Sequence, residues 1–378
     1  MVEGKGDMKY IIFIYKDRAK LLLLMAVAIL LSACSDDTDR LSDKWDFLQI
    51  AAYTQDMVSP SDSAATRAVT GPSGYSEYNG SASIGVFMTP STTEMTLISY
   101  EDNAWHSMVK VTENIDYYIY GYMPAYVTCT IAPNTSYPDG AILTFTDVPS
   151  VMSEDFSVIT GVLQLMPDQS DPPLPIEEGT LQAGTFAYKG RVSGENFVSL
   201  MFDHLFGALN INLKVDRDYA ALRTIKLKEL KLRTSNASGP SKSKTTVTVT
   251  LNKTTDGTSP ISDNGVTFTS SGDDMDDVSF FQSATGKELT TEDNSFMGHF
   301  MPKGITSFVL TSVYDVYDKN DNLIRKDCTA ENKLKIKTLF NQDETIRGYR
   351  YNVNMIIMPT YLYMLSEPDL NSPTTYLN

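Results

Sequence analysis

Apolar and polar residues alternate with period two through much of the chain. Leu209, Ile211, Leu213 and Val215 alternate with Asn210, Asn212, Lys214 and Asp216. Val247, Val249 and Leu251 alternate with Thr246, Thr248 and Thr250, and Tyr351, Val353, Met355 and Ile357 share one face of a further run. Side chains on a strand point alternately to opposite faces, so each run predicts a strand with one buried and one wet face. Residues 47–53 predict another strand. Helical periodicity is scarce, and one short helix is predicted over 218–223. The pairs Asn79-Gly80, Asp139-Gly140, Asp256-Gly257 and Asn264-Gly265 are turn signals between runs. Many short strands with such punctuation predict sheet packed on sheet, an all-β fold of β-sandwich domains.

The apolar strand carrying Val198, Leu200 and Phe202 gives way to Asp203-His204-Leu205-Phe206-Gly207 before the 209–215 run begins. A domain boundary is placed near 206; one long bent strand is the other reading, because a strand glycine often marks a bend or bulge. The Pro-rich stretch 166–180 reads as a surface loop. Residues 59–66, small and polar, read as a flexible connection. Arg67 then follows in an Ala-Thr-Arg-Ala-Val context, where a basic residue in a polar loop is a favourable protease site or an ordinary loop arginine.

The front of the chain reads as an address. Basic residues precede an eleven-residue apolar run over 21–31. That is too short to cross a bilayer as a helix and suits a secretory signal, starting from Met1 or Met8. Leu31-Ser32-Ala33-Cys34 resembles a bacterial lipobox, in which the cysteine is acylated after cleavage. The acidic stretch after it is similar to the tag of surface-directed Bacteroidetes lipoproteins. Acyl chains on Cys34 would anchor the chain at the outer membrane without a spanning segment.

Lys and Arg number 31 against 47 Asp and Glu, a formal net charge of −16. Loss of residues 1–33 removes five basic and three acidic residues and takes this to −18. Such a surface repels phosphate, so a nucleic-acid partner is not expected, and anionic lipid would not draw the chain by charge. With 3 His and 3 Cys, no metal site, haem or disulfide framework is expected. Cys129 and Cys328 read as buried free thiols. His106, His204 and His299 are far apart, and for His204 a hydrogen bond near the domain junction is expected. No Gly-x-Ser-x-Gly elbow and no phosphate-binding Gly-rich Lys loop occurs, so neither catalytic residues nor a cofactor is assigned. Residues 318–322 imitate the start of a calcium loop but lack its later ligands, and a polar hairpin turn is expected. Residues 273–277 read as a solvated acidic loop. Residues 225–233 predict a basic strand face that discourages edge pairing, with a bulge where alternation slips at Glu229.

Several of these segments, taken in order, resemble the Bacteroidetes fimbrillin family, the Mfa-like and FimA-type pilins. They are the cysteine box at Cys34, the early strand, Thr66-Arg67-Ala68 ahead of Ser83-Ile84-Gly85-Val86-Phe87, Tyr120-Gly121-Tyr122-Met123-Pro124, Val198-Ser199-Leu200-Met201-Phe202-Asp203-His204, and the final strand. The resemblance implies two transthyretin-like β-sandwich domains in tandem, 68–206 and 207–378, behind a lipoprotein signal (1–33) and a lipidated segment (34–67). It implies a non-enzymatic pilus subunit at the cell surface, with other pilin subunits as partners and a host or bacterial surface receptor as a further one. Cleavage between Arg67 and Ala68 would release the strand whose inner face is Leu48, Ile50 and Ala52, and a strand from a neighbour would fill the vacated groove. Tyr351, Val353, Met355 and Ile357 would be the teeth of the donor strand, or the core of their own domain. The tail 359–378 has no assigned role. A surface glycan-binding lipoprotein is the alternative; it would want exposed aromatic platforms, and the chain has only Trp45 and Trp105 besides its tyrosines.

Overall fold

A computed structural model describes residues 47–60, 74–80, 82–164, 183–255 and 258–357. The first half of the chain carries β1 (Gln49–Gln55), β2 (Tyr75–Glu77), β3 (Ile84–Thr89), β4 (Met95–Glu101), β5 (Ala104–Ser107), β6 (Asp116–Met123), β7 (Cys129–Pro133), β8 (Gly140–Pro149), β9 (Val151–Met152), β10 (Ser157–Gln164), β11 (Ala187–Lys189) and β12 (Phe197–His204). The second carries β13 (Gly207–Val215), α1 (Arg217–Leu222), β14 (Thr224–Asn236), β15 (Gly239–Pro240), β16 (Lys242–Asn252), β17 (Ile261–Asp274), β18 (Val278–Leu289), β19 (Asn294–Phe300), β20 (Ser307–Tyr317), β21 (Leu323–Lys335), α2 (Ile336–Phe340) and β22 (Arg350–Ile357). The chain is all-β, with curled sheets packed on one another.

The largest sheet runs β2-β1-β12-β10-β6-β3-β4-β5, with β11 added beside β6. Its central strands are apolar on both faces and buried on both, so they need cover on each side. On one side the sheet rolls over itself. Leu48 N–H donates to the Val109 carbonyl at 2.9 Å and Phe47 bridges to Lys110, bringing the front of the chain back to the segment after β5. Inside the roll, Ile84, Val86, Ile119, Leu200 and Phe202 pack with Leu48 and Ala52. On the other side Tyr122 and Phe156 meet Phe145, Val247 and Leu251 of a second sheet, β17-β16-β8-β7. Rings pack edge-on through this layer, Tyr122 on Phe145 at 5.0 Å and Phe145 on Phe156 at 4.9 Å.

The remaining strands form a sandwich. The sheet β22-β13-β19-β9 faces β15-β14-β20-β21, with β18 also on β14. Leu209, Ile211, Leu230, Phe300, Phe308 and Tyr351 fill the space between them. The alternating runs at 209–215, 247–251 and 351–357 all lie in strands, and the short helix is α1. Asp216 caps it, accepting from the N–H groups of Asp218 and Tyr219.

Position 206 separates β12 from β13, which enter different sheets, but other strands pair across it. The β16–β17 hairpin pairs with β8, and β9 pairs with β19. Residues 242–274 therefore sit with the first half of the chain rather than with 207–378. Alternation shows that Val247, Val249 and Leu251 bury a face, but not which strand they bury it beside.

Three local expectations change. Asn264-Gly265 is not a turn: it lies within β17, where the register against β16 jumps between Val249 and Leu251. The run 273–277 is not simply solvated, because Asp277 takes Arg233 Nε at 2.9 Å and the Thr311 hydroxyl at 2.8 Å, and Met275 is buried. The basic strand is not an edge: β14 lies between β20 and β18 and does slip register at Glu229. Its Lys226, Lys228 and Arg233 pair with Asp321, Asp327 and Asp277. The 318–322 segment is the β20–β21 hairpin turn. Asp318 accepts from the N–H groups of Asn320 and Asn322, both at 2.8 Å, so the turn's own donors occupy its carboxylate.

Candidate functional site

β1 occupies the outermost long position of the rolled sheet. It runs parallel to β12, with Ile50 opposite Val198, Ala52 opposite Leu200 and Thr54 opposite Phe202. On its outer side β2 pairs only with Tyr53–Gln55. A strand placed this way leaves an open edge on β12 if it departs.

The period-two pattern puts Leu48, Ile50 and Ala52 on one face, and that face is turned into the roll. Leu48 and Ala52 are buried and Ile50 is half-buried against the same core. The front end is held by the Leu48 N–H on Val109 and by the Gln49 N–H on the Asn196 carbonyl at 2.7 Å.

The far end is held by a histidine. His204, the last residue of β12, presents Nε2 to the carbonyl oxygen of Gln55, the last residue of β1. Its Nδ1 lies 2.6 Å from Asp155 Oδ2, and the Ser157 hydroxyl donates to that same oxygen at 2.6 Å. Burial opposes charge on both groups, but their mutual attraction outweighs it. The Asp155 carboxyl is held down at about 2, and the His204 imidazole is held above its ordinary value. Arg347 closes the junction from the segment ahead of β22, donating to Asp203 Oδ2 at 2.9 Å and to the His204 carbonyl at 2.6 Å.

The final strand is placed in a related way. β22 runs parallel to β13, with Tyr351 opposite Leu209 and Val353 opposite Ile211. Tyr351 and Val353 are buried and Met355 and Ile357 half-buried, all against the core of the sandwich that contains them. Tyr351 is anchored at its tip, accepting from the Ile346 N–H at 2.8 Å and donating to Gln342 Oε1 at 3.0 Å. On the opposite face of the sheet Asn210 donates to Asn352 at 3.0 Å and Asn212 to Asn354 at 2.8 Å.

Cys34, Arg67, Ala68, Trp45 and the tail 359–378 lie outside the described residues. Trp105 is half-buried, with Tyr78 stacked at 6.1 Å and Tyr100 tilted at 5.0 Å. Cys129 and Cys328 are both half-buried free thiols. Among the described residues no three His, Cys, Asp or Glu side chains are placed to hold a metal ion, and no helix is long and apolar enough to cross a membrane.

The structure brings Leu48, Ile50 and Ala52 to one core and Tyr351, Val353, Met355 and Ile357 to another, and it does not bring the two sets together. Sequence reasoning singled out His204 but missed Asp155, Ser157 and the Gln55 carbonyl. Asp155 is one acid among 47 and carries no local mark.

No family model and no curated protein matches the chain. Among solved structures, a candidate cell adhesion protein from Bacteroides uniformis is similar at 11% identity, over 82% of this chain and 94% of that one, with a TM-score of 0.37. A fimbrial protein from Bacteroides vulgatus is similar at 11% identity, over 73% and 88%, with a TM-score of 0.32. A fimbrial protein from Bacteroides ovatus is similar at 8% identity, over 83% and 50%, with a TM-score of 0.31.

Proposed function

We propose that this protein is a non-enzymatic structural subunit of a surface fimbrium, delivered as a lipoprotein and assembled by exchange of its first strand. The observation that carries the reading is the seat of β1, an outer strand parallel to β12 that turns Leu48 and Ala52 into a core. Removing it would expose an apolar groove beside an unpaired strand edge, and both are favourable templates for an incoming strand.

In this reading Cys34 carries the acyl anchor at the outer membrane. Cleavage between Arg67 and Ala68 leaves β1 held by non-covalent contacts alone. The donor we assign is β22 of a neighbouring subunit. It lies at the margin of its own sheet, parallel to β13 as β1 is to β12, and is thus an outer strand of the same kind as the one removed. Tyr351, Val353, Met355 and Ile357 would then occupy the face left by Leu48, Ile50 and Ala52. Donation requires β22 to leave its own place on β13. A head-to-tail contact of this kind does not close on itself and grows a filament. Adhesion to a host or bacterial surface receptor is the role such a filament serves.

The test uses a soluble chain starting at Ser35 and limited trypsin. The expected result is cleavage after Arg67 followed by high-mass polymers, with an Arg67→Ala chain remaining monomeric. Clean cleavage at that bond that leaves only monomers would overturn the reading.

A further inference from the structure

The two nitrogens of the His204 ring face two acceptors. Gln55 offers a carbonyl oxygen and Asp155 a carboxylate oxygen, and neither group can donate. The Ser157 hydroxyl, 3.3 Å from Nδ1, gives its own proton to Asp155. A ring flanked by acceptors on both nitrogens must donate from both, and only the imidazolium does so. When one proton leaves, the remaining proton stays with the stronger acceptor, the carboxylate. The bond lost is then the one to β1.

We propose that His204 is a proton-operated latch on β1: with both ring protons present it ties the end of β1 to β12, and loss of one unhooks that end.

The charged and titratable groups around the ring come from several elements. Asp203, its neighbour in β12, is paired with Arg347 from the segment before β22. Asp155 comes from the segment between β9 and β10, where Glu154 also lies, and Tyr78 from the chain after β2 senses both acids. His299 on β19 is buried, with no hydrogen-bond partner for Nδ1 among the described residues, and burial holds it below the ordinary histidine value. The two histidines are thus divided, His204 charged and His299 neutral. For His204, burial opposes the proton, while Asp155, then Asp203 and the Gln55 carbonyl favour it and prevail. A group raised in this way is engaged below its ordinary value of about 6.5 and released as pH climbs past the raised one. Asp155, at about 2, stays ionised throughout that climb.

The latch is a property of the single subunit and stands apart from strand exchange, so its test needs no polymer. Amide hydrogen exchange is followed on the soluble chain from pH 6 to pH 10. Rates for residues 49–55 are divided by those for residues 84–89, which cancels the intrinsic effect of pH. In the wild type the ratio rises by about tenfold or more, the size expected for one charge-assisted hydrogen bond, with its midpoint at the His204 titration seen by ring nitrogen NMR. In His204→Gln, which cannot titrate, the ratio is flat. A flat ratio in the wild type, the same rise in His204→Gln, or a His204 ring already neutral at pH 6 would each overturn the proposal.

Discussion

Val58 accepts a hydrogen bond from the Arg350 N–H at 2.8 Å and donates its own N–H to the Gly348 carbonyl at 3.2 Å. The chain leaving β1 is therefore paired with the entry to β22. One short segment from Leu48 to Val58 seals the rolled sheet at one end and borders the second sandwich at the other. Proline at position 58 has no N–H and removes one of these bonds. Val58→Pro is expected to cost about 1 kcal/mol in denaturant unfolding and to quicken exchange of the Arg350 amide while leaving β3 unchanged.

Tyr351 is fully buried, and its hydroxyl is the acceptor for the Ile346 N–H. Replacing it with Phe keeps the ring among Phe300, Phe308 and Phe340 but leaves that N–H without a partner. That bond is only partly buried and water can reach Ile346, so Tyr351→Phe should lower stability by about 0.5–1.5 kcal/mol without loss of fold. Chemical denaturation with circular dichroism measures it.

Gly140 opens β8 at φ +140°, and a Cβ there would lie 2.0 Å from the Leu251 carbonyl oxygen of β16. Backbone cannot yield as a flexible side chain does. Gly140→Ala should therefore cost more than the roughly 1–3 kcal/mol of an ordinary strained residue. The loss should come with faster exchange along the β8–β16 pairing, because that contact ties residues 242–274 to the first half of the chain.

Acid should act through Asp155. Its carboxyl titrates near 2 in the folded protein, below the ordinary value of about 3.9. A group depressed on folding stabilises above its unfolded value, and that stability is lost as pH falls through the folded one. Denaturant midpoints of the wild type should fall between about pH 4 and pH 2. Asp155→Asn should be less stable at pH 6 and show a shallower fall across the same window, because the charge that senses acid is gone.

How far the sequence discloses this architecture depends on how each strand is buried. β13, β16 and β22 have one buried and one wetter face, and their alternation marks both the strand and its inner side. β3 reads Ile-Gly-Val-Phe-Met-Thr and is buried at every position, so it carries no period that separates its two faces. Pairing is less visible still. The apolar face of Val247, Val249 and Leu251 fits β8 no better on paper than any strand of its own half. The His204 site is assembled from residues 49 and 149 positions away in sequence, Asp155 and Gln55, and only the roll of the sheet brings them together. Leu48, Ile50 and Ala52 were legible as one face; that they close a roll was not.

Leu48 gives the most direct handle on how firmly β1 is held. Its side chain is 1% exposed and packs inside the roll near the end of β1 where Leu48 and Gln49 are bonded. Truncation to Ala removes buried methyl groups and leaves a cavity, at a cost of about 2–5 kcal/mol. In the intact chain that cost appears as ordinary destabilisation, because β1 remains covalently attached. After a cut in the 61–73 segment the same loss falls on a piece held only by packing and hydrogen bonds. Trypsin-treated Leu48→Ala should then release its front fragment at least about thirtyfold faster than the wild type, read by size-exclusion chromatography at successive times. Equal release rates despite a confirmed loss of stability would mean that β1 is retained by its ends, at Val109 and His204, rather than by the apolar face.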